Sequence, residues 1–336
     1  MRRLALLSFL LAASSVLVSA AVDQGLLALV PSGSKLIGGI DMDHAKTSPL
    51  WQYFASKTRN DNNKDFAEFV QRTGFDPRRD LQQVLFATSG PSKAGQAERT
   101  TILGRGNFDQ SRVVAAARQK GLATHTFQGV ELFVDKSDSK GPNTFAFLGD
   151  GIGVMGDLES VKDVIANRSG ANPIDAALAA KIAKTAEEND VWFVSFVPGS
   201  EVANHLNPAS TNEGQNKPNG NQGGWPQAQA LESVQQASGG VQFGDMVRLR
   251  LDAVTRSAKD ATSLADVVRF FASMVQMQRQ KDPRAAMAAE AFDKMEIETD
   301  GERIHLAVAF PEKGLEQLID SAPAGTTAFD FTQHKQ

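Results

Sequence analysis

The hydrophobic positions of this chain follow two periods, and the switches between them lay out its elements. Short apolar runs predict strands at Lys35–Met42, Gln83–Thr88 and Thr100–Gly104, the last after a Gly/Ser/Lys-rich loop at Ser89–Glu98. Between the first two runs, helical spacing predicts Ser48–Lys57, with Pro49 in its first turn, and Asp65–Arg72, where Phe66, Phe69 and Val70 share a face. Gly74 stops the second helix, and Asp76-Pro77 has the form of an N-cap followed by proline. A helix over Asp109–Lys120 leads to a hairpin that turns at Gln128-Gly129.

The stretch Asn143–Ile165 says most about this first half. Asp150-Gly151 predicts a type I′ hairpin turn, which sets Phe147 opposite Val154 and places Phe145, Gly149, Ile152 and Val154 on one face. Asp157 then caps a helix that buries Leu158, Val161 and Ile165. Gly151, Gly153 and Gly156 also spell GxGxxG, the fingerprint of a dinucleotide loop. That loop belongs to the first βα turn of a parallel unit, whereas the preceding elements here are meandering hairpins, so backbone geometry accounts better for the glycines.

A second pass through the same pattern follows. A connecting helix, Pro173–Glu188, precedes a strand at Val191–Val197 and a short helix at Ser200–Leu206. Pro208–Pro226, rich in Asn, Gly and Gln, predicts a mobile loop. A helix at Gln227–Gln236 ending at Gly239-Gly240, then a strand at Met246–Val254, come next. Ser263 with Asp266 forms a capping-box pattern that opens a helix with Leu264, Val267, Val268, Phe271 and Val275 on one side, and Met274, Met277 and Met287 read as core filler. After a helix at Pro283–Lys294, strands at Met295–Thr299 and Glu302–Phe310 turn at Asp300-Gly301, pairing Glu296 with His305, and Pro311 starts a last helix. The two Asp-Gly turns, at 150 and 300, each sit in a hairpin that runs into a helix. The chain is therefore predicted to be α+β, with two similar units, each a mainly antiparallel sheet with helices packed on one face. The units span 22–170 and 190–322, joined by the helix at 171–189 and followed by a flexible tail at 323–336.

Residues 1–21 have the form of a signal peptide: Arg2 and Arg3, an apolar Leu4–Val18, and small residues around Ser19-Ala20-Ala21. Cleavage would leave a chain starting at Ala21 or Val22, exported to the periplasm or secreted, with no later segment apolar enough to span a membrane. The absence of cysteine removes disulfides, thiol catalysis and thiolate–metal sites, so burial alone must hold the fold. A net charge of −4 without a basic, aromatic-interleaved patch argues against nucleic acid.

Candidate chemistry is sparse. Asp41, Asp43 and His44 stand at a strand end and offer oxygen and nitrogen ligands, although the glycine and distal glutamate of a calcium loop are missing. Arg78 and Arg79, inside Asp76-Pro-Arg-Arg-Asp80, suit an anionic ligand, and a capped, solvated turn is the competing reading. No nucleophile elbow, zinc helix or P-loop pattern occurs, so no catalytic residue, cofactor or metal is assigned. The expectation is a non-catalytic protein that binds an envelope or extracellular protein, a ligand or another envelope component, in a groove between its units. The alternative is an enzyme with an unfamiliar site near Asp41 or Arg78.

With its leader, KLIGGID, TGFDPRRDL and GDGIGVMGDLESVKDVI, the chain resembles exported bacterial proteins. The resemblance covers most of the mature chain loosely, and it implies location and duplicated architecture but no activity.

Overall fold

The computed structural model describes residues 22–57, 64–90, 99–136, 143–170, 174–206, 230–280 and 283–321. The leader, the Pro208–Pro226 loop and the 323–336 tail lie outside these residues. In chain order the first half carries α1 (Gln24–Leu27), β1 (Leu36–Asp41), α2 (Met42–Ala45), α3 (Pro49–Lys57), α4 (Lys64–Thr73), α5 (Pro77–Asp80), β2 (Leu81–Thr88), β3 (Thr100–Gly106) and α6 (Gln110–Gln119). The hairpins β4 (Ala123–Phe127) with β5 (Val130–Val134) and β6 (Thr144–Gly149) with β7 (Ile152–Gly156) follow, then α7 (Leu158–Asn167) and α8 (Ala176–Glu188). The second half adds β8 (Val191–Ser195), α9 (Gly199–Leu206), β9 (Val234–Gln242), β10 (Met246–Thr255), α10 (Ala258–Gln278), α11 (Pro283–Phe292), β11 (Glu296–Asp300), β12 (Arg303–Pro311) and α12 (Glu312–Ser321).

All the strands join one twelve-stranded sheet, ordered β11-β12-β10-β9-β8-β1-β2-β3-β7-β6-β5-β4. Every pairing in it is antiparallel. The fold is thus α+β with a large antiparallel sheet. The halves meet where β1 pairs with β8, from Leu36 opposite Ser195 to Ile40 opposite Val191.

Helices pack on both faces of this sheet. Residues paired across strands point the same way, so the row Ile37, Val194, Ser238, Asp252 marks one face and Ala253 belongs to the other. On the Ile37 face, α1, α7 and α8 bury Leu26, Val161, Ile165 and Ile182 against Leu85, Leu103 and Val154. Each such side chain contributes about 1.5–3 kcal/mol on burial. On the opposite face, Leu264 and Ala265 of α10 cover Ala253 and Ile304. The sheet alternates strictly, so which half buries which face depends on where each apolar run falls in the pleat.

Several elements depart from the sequence expectation. Asp150 and Gly151 adopt φ of 49° and 69°, as a type I′ turn requires. However, Gly149 at φ 89° shifts the register, so Phe147 faces Gly153 and Ala146 faces Val154. Phe145 and Phe147 therefore lie on the face opposite Val154. In the second hairpin Asp300 pairs with Arg303, so Gly301-Glu302 makes the turn, and His305 stands opposite Glu298 rather than Glu296. Val234–Gln242 is a strand, not the end of a helix, because it fills the gap between β8 and β10. There a Cβ on Gly239 would lie 2.2 Å from the Arg250 carbonyl oxygen, so glycine admits a close backbone approach. Finally, α10 starts before Ser263: Ser257 is its N-cap, its hydroxyl accepting from the Asp260 amide at 3.1 Å and donating to the Asp260 carboxylate at 2.8 Å.

Candidate functional site

The five residues singled out by sequence lie near one another at the end of β1. Asp41 caps α2, its carboxylate accepting from the His44 amide at 3.0 Å. Asp43 pairs with Lys46 at 3.5 Å. Lys46 then donates to the carbonyls of Arg79, at 3.0 Å, and Leu81, which ties the α2 turn to α5. Arg78 grips Asp76 through two nitrogens at 3.0 and 2.8 Å and lies 4.8 Å from the Phe66 ring. Arg79 holds Asp80 at 2.6 and 2.7 Å and donates to the Gly74 carbonyl at 2.9 Å. The Arg78 hydrogen bonds hold the Asp76 carboxyl below the usual carboxylate range, and those of Arg79 do the same for Asp80. Both guanidinium groups are thus engaged with carboxylates of their own turn, which supports the capped-turn reading over an anion site.

His44 has a partner that the sequence did not reveal. Its Nδ1 meets the carboxylate of Asp190, at the start of β8, and the exposures of the two side chains are 56% and 5%. Asp190 also accepts from the Phe243 amide at 2.6 Å, and its carbonyl accepts from the Asp41 amide at 2.8 Å. The buried carboxylate therefore fastens α2 to the β9–β10 connection, and the Asp190 carbonyl holds the end of β1. Only the polar pair Asn189-Asp190 before an apolar run hinted at it in sequence. Among the described residues no group of three or more His, Asp or Glu side chains is placed to hold a metal ion.

The glycine triplet does not form a phosphate cradle. A Cβ on Gly151 would lie 2.6 Å from the Gly106 carbonyl oxygen, and one on Gly156 would lie 2.6 Å from that of Thr100. These glycines allow β7 to pack closely against its neighbours. Beside them a shallow recess of about 570 Å³ is lined by Gly106–Ser111 and Gly151, with Asp109 capping α6 at its rim.

A larger feature spans the sheet. On the face opposite Ile37, one transverse row reads Ile297, Leu306, Leu251, Gly239, Phe193, Gly38, Phe86, Ile102, Met155, Phe145 and Phe133. The adjacent row reads Val308, Leu249, Val241, Val191, Ile40, Val84, Gly104, Gly153 and Phe147. From Ile297 to Phe133 and from Val308 to Phe147 the side chains are apolar, and the first row continues to Thr124 on β4. Most members are half-buried, and Leu251, Leu249 and Met155 are 37%, 38% and 40% exposed. The next row on one side reads Ile304, Ala253, Ala237, Ser195, Leu36, Thr88 and Thr100, and on the other side Val247 and Phe310 continue the apolar surface while β1 and β8 end near Asp41 and Asp190.

Aromatic walls flank this apolar floor. On one side Phe75, Phe108 and Phe147 follow one another at ring distances of 5.1 and 5.6 Å. On the other stands α10, whose Arg269, Ser273 and Gln276 line a recess with Phe292, Met295 and Ile297 toward β11. Helical geometry puts Val267, Phe271 and Met274 on the opposite flank, toward β10. Phe271 and Met277 are 42% and 74% exposed, so Phe271 leaves the buried side expected of it and Met277 is not core filler. Alternating apolar residues in β8 and β10 carried the only sequence signal of the floor, and their exposure could not be read from it.

Among the described residues no helix is long and apolar enough to cross a membrane. Against protein-family models, curated proteins and solved structures the chain has no match, so its site stands on its own geometry.

Proposed function

We propose that this is an exported, non-catalytic binding protein whose working surface is the apolar floor between the Phe108 side and α10. The observation that carries this reading is the pair of uninterrupted apolar rows with exposed Leu249, Leu251 and Met155. Contiguous exposed apolar surface of more than a few hundred Å² marks a binding face on a soluble protein. The signal-peptide pattern of residues 1–21 supports export. A polarity-sensitive dye such as ANS is expected to brighten on the native protein and to lose most of that signal in Leu249→Lys/Met155→Lys. A native protein that leaves the dye dark rejects the reading.

The same proposal includes a duplicated architecture. Outward from the β1–β8 pair the strands run β1-β2-β3-β7-β6 on one side and β8-β9-β10-β12-β11 on the other, in matching chain order. The β4–β5 hairpin is then an addition to the first unit, and α6 and α10 hold equivalent places. The floor crosses both units, which makes the strand seam part of the binding surface.

One observation favours the enzyme alternative: Asp190 holds His44 through Nδ1 while the His44 side chain is 56% exposed, an arrangement a general base could use. Neither a nucleophile nor a set of oxyanion donors accompanies it among the described hydrogen bonds. Turnover of ester, peptide or phosphate substrates that disappears in His44→Ala would establish the alternative.

A further inference from the structure

We infer that Met277, with Met274 one turn away on α10, is the site at which this protein takes up oxygen from a peroxide-class oxidant, reversibly and without unfolding. The inference is independent of the apolar floor and of what covers it.

The chain has no cysteine, so the thioethers of methionine are its only side-chain sulfur. A thioether has no proton to lose, and its oxidation follows solvent access rather than ionisation. Access separates the methionines. Met277 is 74% exposed, Met155 40%, Met274 37% and Met42 only 5%, and Met246, Met287 and Met295 are half-buried. Methionine is ordinarily among the buried residue types, so one left mostly in water stands apart.

The helix explains the placement. Ala261, Leu264, Ala265 and Ala272 are the buried residues of α10, and they lie on one side of it. Phe270, Met274 and Met277, at i, i+4 and i+7, occupy the opposite stripe, where Phe270 is 55% exposed. At the same end of the helix Gln276 and Arg279 both donate to the Asp293 carboxylate, at 2.8 and 3.2 Å, which ties α10 to the end of α11. Met277 is thus carried outward on an anchored helix, and an oxygen added to its sulfur displaces no core contact. At Met42 the same oxygen would sit among buried side chains.

The chemistry needs only hydrogen peroxide. The sulfur lone pair attacks one peroxide oxygen and the O–O bond breaks. Sulfur loses two electrons, the peroxide gains them, and the departing hydroxide takes the proton of the transferred oxygen and leaves as water. The product is a sulfoxide, polar where the Phe270–Met274–Met277 stripe was apolar. Its reduction consumes two thiols, which become a disulfide, and releases the oxygen as water.

The test treats the full chain with hydrogen peroxide for increasing times and maps the added oxygen by peptide mass spectrometry, in buffer and in urea. In buffer Met277 is expected to oxidise first, about tenfold or more ahead of Met42, with Met274 and Met155 between them. In urea the four rates are expected to converge. Protein oxidised at Met277 should keep the circular dichroism melt of the parent, and methionine sulfoxide reductases for both epimers, supplied with dithiothreitol, should remove the oxygen. Met277→Leu is expected to lose the fastest phase and to melt as the parent does. Oxidation of Met42 or Met155 as fast as Met277, or a lead of Met277 that persists in urea, overturns the inference. So does unfolding on oxidation of Met277, or a sulfoxide there that the reductases leave in place.

Discussion

Replacing Asp190 separates a structural role for the His44 cluster from a catalytic one. The Asp190 side chain is 5% exposed and accepts from both His44 and the Phe243 amide, the latter at 2.6 Å. Asp190→Ala strands that amide, which lies where β9 leaves the sheet toward β10. A lost hydrogen bond to a charged group costs about 1.5–3 kcal/mol, and an orphaned donor adds to it, so a total near 3 kcal/mol is expected. His44→Ala removes only the outer partner of the pair. With 56% of that side chain exposed, solvent screens the contact and the loss should stay below about 1 kcal/mol. Urea unfolding monitored by far-UV circular dichroism measures both values, and the double variant should cost little more than Asp190→Ala alone. If His44→Ala destabilised the protein as much as Asp190→Ala, the argument that Asp190 acts mainly through the backbone would be refuted.

Gly239→Ala should destabilise by about 1–3 kcal/mol or more in thermal melts, because its Cβ would meet the Arg250 carbonyl oxygen at 2.2 Å; an unchanged melting temperature would contradict the β9–β10 packing. Gly149→Ala, at φ 89°, should cost about 1 kcal/mol or more by urea titration, whereas a residue in an ordinary hairpin register would tolerate alanine. The carboxyls of Asp76 and Asp80 titrate below their unfolded values, so their contribution is present above about pH 4 and is lost as pH falls through the lower folded values. Asp76→Asn should therefore flatten the loss of stability with acid over that range, and an acid-unfolding curve that keeps the parent's slope would refute the assignment.

Local chemistry made much of this protein legible before any contact was known. Asp109 and Asp157 cap helices as their sequence context requires, and Gln128-Gly129 turns with both residues at positive φ, 46° and 78°. Each depends on hydrogen bonds or torsions within a few residues, which a sequence states directly. Arg78 and Arg79 lie in a capped turn, where the carboxylates that bind them belong to the same five residues. Elsewhere the deciding atoms come from far along the chain. Val234–Gln242, expected in part as a helix ending at Gly239-Gly240, is a strand because β8 and β10 stand on either side of it. Asp190 had no visible role until His44 and Phe243 converged on it. The sequence by itself determined the turns at Gln128-Gly129 and Asp150-Gly151, the caps at Asp76 and Asp157, and an α+β chain of antiparallel hairpins. The tertiary structure decided the register at Gly149, the faces on which helices pack and the apolar floor, because burial and pairing depend on which strand becomes the neighbour.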